Sequence, residues 1–121
     1  MEYKSWQPND FYDFATEFTR ISSFIYEIGD RLGIYDLVTK LIWETSDIPY
    51  YEDYKQIIYA LNTLLQRTHA NETFGYLTPE KSFSYINANK IEEAMQEIEK
   101  KMWSFDITGK KILGNNQKII T

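Results

Sequence analysis

The chain has 121 residues, no cysteine and a formal net charge of −5, with 43% apolar and 26% charged residues. This length allows one compact domain or two very small ones, and the composition excludes wholesale disorder, disulfides and cysteine metal sites. The pI near 4.9 argues against a nucleic-acid binder, because such a protein needs a basic surface. The aromatic content of 17% favours a binding surface, since aromatic side chains are enriched at interfaces as well as in cores.

Neither a membrane span nor a targeting segment is expected. No apolar run approaches the roughly 20 residues that cross a bilayer. The first four residues, Met1-Glu2-Tyr3-Lys4, lack the character of a signal or transit peptide.

The first regular apolar pattern predicts a helix over residues 13–32. Within it the apolar side chains recur at alternating steps of four and three, which is helical spacing. Asp13 is placed to cap the N-terminus, and Gly33 is placed to end the helix in a left-handed conformation. A shorter helical piece, ending before Trp43, is predicted from Ile34, Leu37, Val38, Leu41 and Ile42.

Two further helices are predicted along the chain. Residues 50–69 follow Pro49, which favours the first turn of a helix, and they carry a wide apolar stripe. Residues 70–84 lack a period and contain turn formers, which indicates a loop. Asn87 then caps a last helix, whose buried seam consists of Ile91, Met95 (or Ala94), Ile98 and Met102. The outer face of that helix carries Glu92, Glu93, Glu97, Lys100 and Lys101.

The C-terminal residues 103–121 differ from the rest. Turn formers interrupt short apolar runs there, which favours short β strands or an irregular tail. Residues 104–121 carry three lysines and one aspartate, so the tail is basic and the remainder is strongly acidic.

The predicted fold class is all-α. We expect a small helical bundle of three long helices plus one short helix, in an up-and-down arrangement, with a short β or irregular C-terminal tail. Residues 1–102 would form the bundle, and residues 103–121 would form a β-hairpin or a docking element.

A repeated unit precedes the helices. Trp6 and Asp10 stand before the first helix with the same spacing as Trp43 and Asp47 before the second. Each unit reads as an aromatic anchor that packs back onto the helix it precedes, a polar cap and a helix. One unit cannot bury its own apolar seam, so the units are expected to stack. Chance similarity among ordinary capped helices is the alternative.

A third, weaker copy of the unit carries a resemblance to a known family. It reads Tyr85-Ile86-Asn87-Ala88-Asn89-Lys90-Ile91-Glu92, and its Asn89-Lys90-Ile91 matches Thr19-Arg20-Ile21 in the first copy. The segment resembles a helical module in structural proteins of tailed phages and prophages of Gram-positive bacteria. The shared features are an aromatic residue, a turn, an Asn-Ala cap and a helix that opens with Asn-Lys-Ile-Glu. The resemblance covers about residues 5–100. It implies a virion component of the tail or baseplate with no catalytic duty.

Side chains in catalytic or metal-binding patterns are sparse. His69 is the only histidine, and we expect it at a solvated helix end, where its charge suits the helix dipole. Glu93 and Glu97 lie one turn apart, but they are expected on a screened solvent face beside lysines. The 5 glycines are not clustered as in a phosphate-binding loop. We therefore expect no enzyme, no catalytic residue, no metal site and no cofactor.

Two functions remain open. The first is a non-enzymatic virion structural protein, associated with the tail or baseplate, that resides in the host cytoplasm before assembly. Its partners would be other virion structural proteins or copies of itself, in a homo-oligomer or docked on a ring, without nucleic acid or membrane. The alternative is a small acidic phage-type regulator or inhibitor that binds one host protein.

Contact residues are predicted in two places. Tyr26 and Tyr59 fall off the apolar stripes of their helices, so we expect them at the surface. The tail supplies the second set, because its apolar residues are too few for a core of their own. That set is Trp103, Phe105, Ile107, Ile112, Leu113, Ile119 and Ile120. Opposite charges would guide one copy's tail onto the next copy's body, whereas a tail folded on its own bundle would leave a monomer. Structural anchors and caps are Trp6, Asp10, Trp43, Asp47 and Asn87.

Overall fold

The computed structural model describes residues 2–38, 40–44 and 51–108, with side chains as far as Met102. Its helices are α1 (Phe14–Leu32), α2 (Tyr51–Arg67), α3 (Asn71–Phe74) and α4 (Tyr85–Thr108). No strand occurs in these residues, so the all-α prediction is confirmed, with three long helices and one short one.

Helix α1 has the predicted extent and ends at the predicted glycine. Asp13 stands at the N-cap position, but its carboxylate accepts the hydroxyl of Thr16 at 2.8 Å and no backbone N–H, so the predicted side-chain cap is wrong. Gly33 at the C-terminus has a φ of 76° and a ψ of 24°, as predicted. The N–H of Gly33 donates to the carbonyl of Asp30 at 3.2 Å, and the N–H of Ile34 donates to Gly29 at 2.8 Å. These two bonds occupy carbonyls that the helix end leaves free.

The helical piece predicted before Trp43 is wrong. Residues 34–38 and 40–44, here called the first return segment, are not helical and run back along α1. Their apolar side chains do not share one buried face, because Leu41 and Ile42 are exposed while Leu37 and Val38 are half-buried. A helical spacing stabilises a helix only when the stripe it forms is buried.

Helix α2 confirms the helix predicted over residues 50–69, although Asp47 lies outside the described residues. The loop predicted over 70–84 is interrupted by the single turn α3. Gly75 follows α3 with a φ of 85°, and residues 75–84, here called the second return segment, run back along α2.

The start of α4 corrects the predicted cap. Ser84 precedes the first helical residue, and both its backbone N–H, at 2.8 Å, and its hydroxyl, at 3.1 Å, donate to Asn87 Oδ1. Asn87 therefore lies inside the first turn, in the position that glutamate takes in a capping box, and is not itself the N-cap. The helix continues to Thr108, so Phe105 and Ile107 lie in a helix and not in a strand.

The three long helices begin at the same end of the molecule. Phe83, just before α4, has its ring centroid 5.3 Å from that of Tyr54 in the first turn of α2 and 5.5 Å from that of Phe14 in α1. Toward the other end, the hydroxyl of Thr73 donates to Glu97 at 3.2 Å. The helices are thus parallel, and the up-and-down prediction is wrong. The return segments provide the length that parallel helices need.

The core lies between these parallel helices. Its largest fully buried apolar side chains come from α1, α2 and α4: Phe18, Ile21, Ile25, Ile58, Leu61, Leu64, Leu65, Ile91, Met95 and Ile98. Each long helix thus supplies the apolar face that its predicted stripe indicates.

Candidate functional site

Each long helix uses one polar side chain to bind both the N–H and the carbonyl of a single residue in a non-helical segment. We call this arrangement a clamp. On α4, Asn89 Oδ1 accepts the N–H of Trp6 at 2.7 Å, and its Nδ2 donates to the Trp6 carbonyl at 2.9 Å. On α2, Asn62 does the same for Leu77, at 2.8 and 3.0 Å. On α1, the Thr19 hydroxyl accepts the N–H of Trp43 at 2.8 Å and reaches its carbonyl at 3.5 Å. The clamps satisfy backbone groups of segments that have no ladder partner.

The tryptophan anchors do not pack as the repeat predicts. The ring of Trp43 packs on Phe18, with centroids 5.4 Å apart, and its Nε1 is 3.4 Å from Ser22 Oγ. Its ring and backbone contacts are therefore with α1, the helix it follows, and it also lines a small cleft beside Gln56 of α2. Trp6 is held by Asn89 of α4, and its ring is tilted against that of Tyr12, with centroids 4.7 Å apart.

Asp10 closes a turn and does not cap a helix. Its Oδ2 accepts the N–H of Gln7 at 2.8 Å, and its own N–H donates to the Gln7 carbonyl at 3.1 Å. Helix α1 begins later, at Phe14. Asp10 therefore belongs to the N-terminal segment, defined as residues 2–13, which lies across α4.

A buried ion network joins the N-terminal segment to α1 and α4. Glu17 is 3% exposed and Glu92 is 2% exposed. Arg20 lies between them, with Nε 3.0 Å from Glu17 Oε1 and a guanidinium nitrogen bonded to Glu92 Oε2. Lys4 adds an ion pair from its ammonium to Glu17 and a 3.0 Å bond from its backbone N–H to Glu92. Each buried carboxylate thus has a cationic partner, as burial of charge requires.

Glu92 is a correction to the sequence prediction, which placed it on the outer face of the last helix. It lies on the buried side because Arg20 of α1 reaches it. Burial alone would lower the pKa of Arg20, but hydrogen bonds and charge interactions with Glu92 and Glu17 raise it above its ordinary value. Arg20 is therefore a permanent cation in this network.

An aromatic cluster covers the end where the long helices begin. Tyr12 contacts Trp6, Phe14 and Phe83, with ring centroids 4.7 to 5.0 Å apart. The hydroxyl of Tyr12 and the Nε1 of Trp6 are buried without a hydrogen-bond partner. Burial, followed by the charge of Glu17, raises the pKa of Tyr12 well above its usual value. The cluster is a packing element, and its phenol stays neutral at physiological pH.

The tyrosines predicted off the apolar stripes are at the surface. Tyr26 is exposed on α1, and Tyr59 is 70% exposed on α2. Trp103, Phe105 and Ile107 lie on α4 beyond the described side chains. The remaining tail residues of the predicted contact set lie outside the described residues: Ile112, Leu113, Ile119 and Ile120. A contact role for any of them stays a prediction.

Sequence reasoning missed an exposed apolar set on the first return segment. Tyr35, Leu41 and Ile42 are exposed, Ile42 by 66%. Gln56, one turn before Tyr59 on α2, lines a small cleft together with Trp43 of that segment. We use the name outer apolar face for these three side chains and Tyr59, which are exposed on two neighbouring elements.

His69 lies just after α2, in the left-handed region with a φ of 66°, and its Nδ1 is 3.3 Å from Glu72 Oε2. Both side chains are exposed. Within the described part of the chain, no group of three or more potential ligands could hold a metal ion. None of the helices described there is both long and apolar enough to span a bilayer.

Comparison with known proteins gives no relative. No protein-family model matches the chain, and neither a curated protein nor a solved structure matches it.

Proposed function

We propose that this protein is a non-enzymatic virion structural protein of a tailed phage or prophage. It is associated with the tail or baseplate and acts by assembly with other virion proteins or with copies of itself. It is made in the host cytoplasm and ends in the virion. The sequence support is the resemblance of Tyr85-Ile86-Asn87-Ala88-Asn89-Lys90-Ile91-Glu92 to a module of such proteins.

The observation that carries the assembly role is the outer apolar face. Large exposed apolar side chains are typical of protein contact sites. Tyr35, Leu41 and Ile42 stand on a segment that the Thr19 clamp holds at Trp43. A contact surface that is fixed before binding loses less conformational entropy when a partner docks.

The first experiment is to look for the chain in assembled particles. Particles purified on a density gradient from the phage or induced prophage that encodes the chain are digested and analysed by quantitative mass spectrometry. A fixed copy number relative to the major tail protein supports the proposal. If the chain is absent from particles and instead co-purifies in stoichiometric amount with one host protein, the acidic regulator is the correct function.

The second experiment tests the face itself. Ile42→Ser and Tyr59→Ser are expected to reduce incorporation into particles, because each removes a large apolar contact. Tyr76→Ser is the matched control, since Tyr76 is comparably exposed but lies on the second return segment. Incorporation that is unchanged in all three variants would contradict the assigned face while leaving the virion role intact.

A further inference from the structure

We propose that this protein binds a short extended peptide of a partner protein in a slot beside the second return segment. The slot, here called the α4 slot, lies between that segment and the first half of α4, and its volume of about 850 Å³ is usual for a ligand site. Leu77 lines one wall, and Asn87 and Lys90 line the other. The proposal goes beyond the virion role and does not depend on it, because the target of a regulator would offer a peptide equally well.

The backbone of the second return segment has a free edge along this slot. Asn62 of α2 takes both the N–H and the carbonyl of Leu77, at 2.8 and 3.0 Å. Leu77 is buried between the exposed Tyr76 and Thr78, which is the alternation of an extended chain. In such a chain the backbone groups of successive residues point to opposite sides, so those of Tyr76 and Thr78 point away from α2. None of these groups is hydrogen-bonded to another described residue.

The N-terminal segment shows how this fold closes a similar edge. Its clamped residue is Trp6, and the backbone N–H and carbonyl of the next residue, Gln7, are both bonded to Asp10, at 2.8 and 3.1 Å. Thr78 has the same position after the clamped Leu77, but no described residue takes the role of Asp10 there. Unpaired backbone groups of this kind are the template on which an extended peptide adds as a strand.

The α4 wall offers a hydrogen-bond donor to the same ligand. Asn87 lines the slot and is only 9% exposed, and its Oδ1 accepts two bonds from Ser84. Its Nδ2 has no partner in the part of the chain that the structure describes. This amide donor favours a ligand that brings a carbonyl oxygen, and a peptide backbone brings one at every residue.

The dimensions of the slot select a short stretch of peptide. Its α4 wall runs from Ile86 to Glu93, which is a rise of about 10 Å, and three extended residues span about the same distance. The side chains of an extended peptide alternate. A central side chain would therefore face the base of the slot, where the buried Ile58 and Ile91 lie, while its two neighbours face the rim. The slot thus fits an apolar residue between two polar ones.

The rim carries charges of both signs. Lys90 and Glu93 lie one turn apart on α4, both are exposed, and neither forms an ion pair with another described residue. An acidic residue beside Lys90 and a basic residue beside Glu93 would complement both charges. The expected ligand is therefore an extended peptide with an acidic and a basic residue on either side of an apolar one.

A peptide selection tests this specificity. A displayed library of random nine-residue peptides is selected against the immobilised full chain, and an enriched peptide is synthesised with a fluorescein label. We expect enrichment of the acidic–apolar–basic pattern, and Lys90→Glu should weaken binding at least five-fold in fluorescence anisotropy. Lys100→Glu is the matched control, because Lys100 is exposed on the same helix but does not line the slot, and it should change binding less than two-fold. Enriched peptides that bind Lys90→Glu as well as the wild type would overturn the proposal.

Amide hydrogen exchange, measured by NMR, tests the free edge directly. Without peptide, the N–H of Leu77 should be at least ten-fold better protected than those of Tyr76 and Thr78, because Asn62 accepts only the first. Saturating peptide should protect Tyr76 and Thr78 at least ten-fold, and a fully N-methylated version of the peptide should not bind. Tyr76→Ser should keep most of the affinity, since the bonds come from the backbone.

Two results of the exchange experiment would contradict the proposal. Unchanged exchange at Tyr76 and Thr78 in the presence of bound peptide would place the peptide elsewhere. Protection that arises without peptide as the protein concentration rises would place a second copy of the chain on this edge instead.

Discussion

The side-chain amide of Asn89 in α4 brackets the backbone of Trp6, accepting its N–H at 2.7 Å and donating to its carbonyl at 2.9 Å. Trp6 belongs to the first segment of the chain and Asn89 to the last helix. The bond pair therefore fastens the N-terminus across the C-terminal element. Thr19 holds Trp43 at the matching position of α1, so the two tryptophans are bound through their backbones in related ways.

Asn89→Ala should lower the free energy of unfolding by about 2 kcal/mol, because it leaves two backbone groups of Trp6 without partners. Gln96→Ala, at an exposed position of the same helix, is the control and should change it by less than about 0.5 kcal/mol. Urea denaturation monitored by circular dichroism measures both. Equal small effects would mean that water replaces Asn89 fully.

Glu92→Gln should be more damaging, by about 3 kcal/mol, because it removes one of the two buried carboxylates that pair with Arg20. Glu93→Gln, on the neighbouring exposed position, is the matched control and should have little effect. Both variants are measured by urea denaturation at two salt concentrations, because guanidinium chloride would itself screen the ion pair. A Glu92 effect that vanishes at high salt would indicate a solvent-exposed pair and contradict the burial.

The sequence predicts α1 and α2 well because their stripes of four-and-three spacing face one core. Gly33 was predictable for a local reason, since a helix end that needs a left-handed residue favours glycine. Tyr26 and Tyr59 are exposed for the complementary reason that they stand off those stripes. The helix predicted from Ile34, Leu37, Val38, Leu41 and Ile42 is wrong, because apolar spacing alone does not reveal which side chains the rest of the fold will cover.

The candidate site was less predictable, because its contacts join distant parts of the chain. The helical pattern predicts an exposed Glu92, because nothing in the local sequence shows that Arg20 of α1 contacts it. The clamp at Asn89 could have been suspected from its alignment with Thr19, but the role of that position becomes visible only with Trp6 and Trp43 in place. The parallel helix direction also depends on the return segments, and the spacing of the first one predicted a helix instead.

Gly29→Ala should destabilise the protein although alanine is the better helix former by about 1 kcal/mol. A Cβ at this position of α1 would lie 2.7 Å from the carbonyl oxygen of Ile34, which is backbone and cannot yield cheaply. We expect a net loss of about 1–2 kcal/mol in unfolding free energy. Ser23→Ala in the same helix is the control, since Ser23 is exposed. A stabilised Gly29 variant would mean that the first return segment does not lie against α1 as described.

Alkaline pH should lower the free energy of unfolding, in part through Tyr12. Burial raises the pKa of Tyr12 in the folded state above the value of 10.0 that it has when exposed, so the unfolded chain loses its proton first. The contribution of Tyr12 to stability is therefore complete below about pH 10 and is lost as the pH rises through the folded-state pKa. The expected slope is at most roughly 1.4 kcal/mol per pH unit from this one group.

Tyr12→Phe removes a hydroxyl without a hydrogen-bond partner, so it should leave stability at pH 7 unchanged or slightly higher. Urea denaturation from pH 7 to pH 11 should show a steeper alkaline loss for the wild type than for Tyr12→Phe, with Tyr26→Phe behaving as the wild type. Parallel curves for wild type and Tyr12→Phe would show that the Tyr12 phenol ionises equally easily in both states and is not buried.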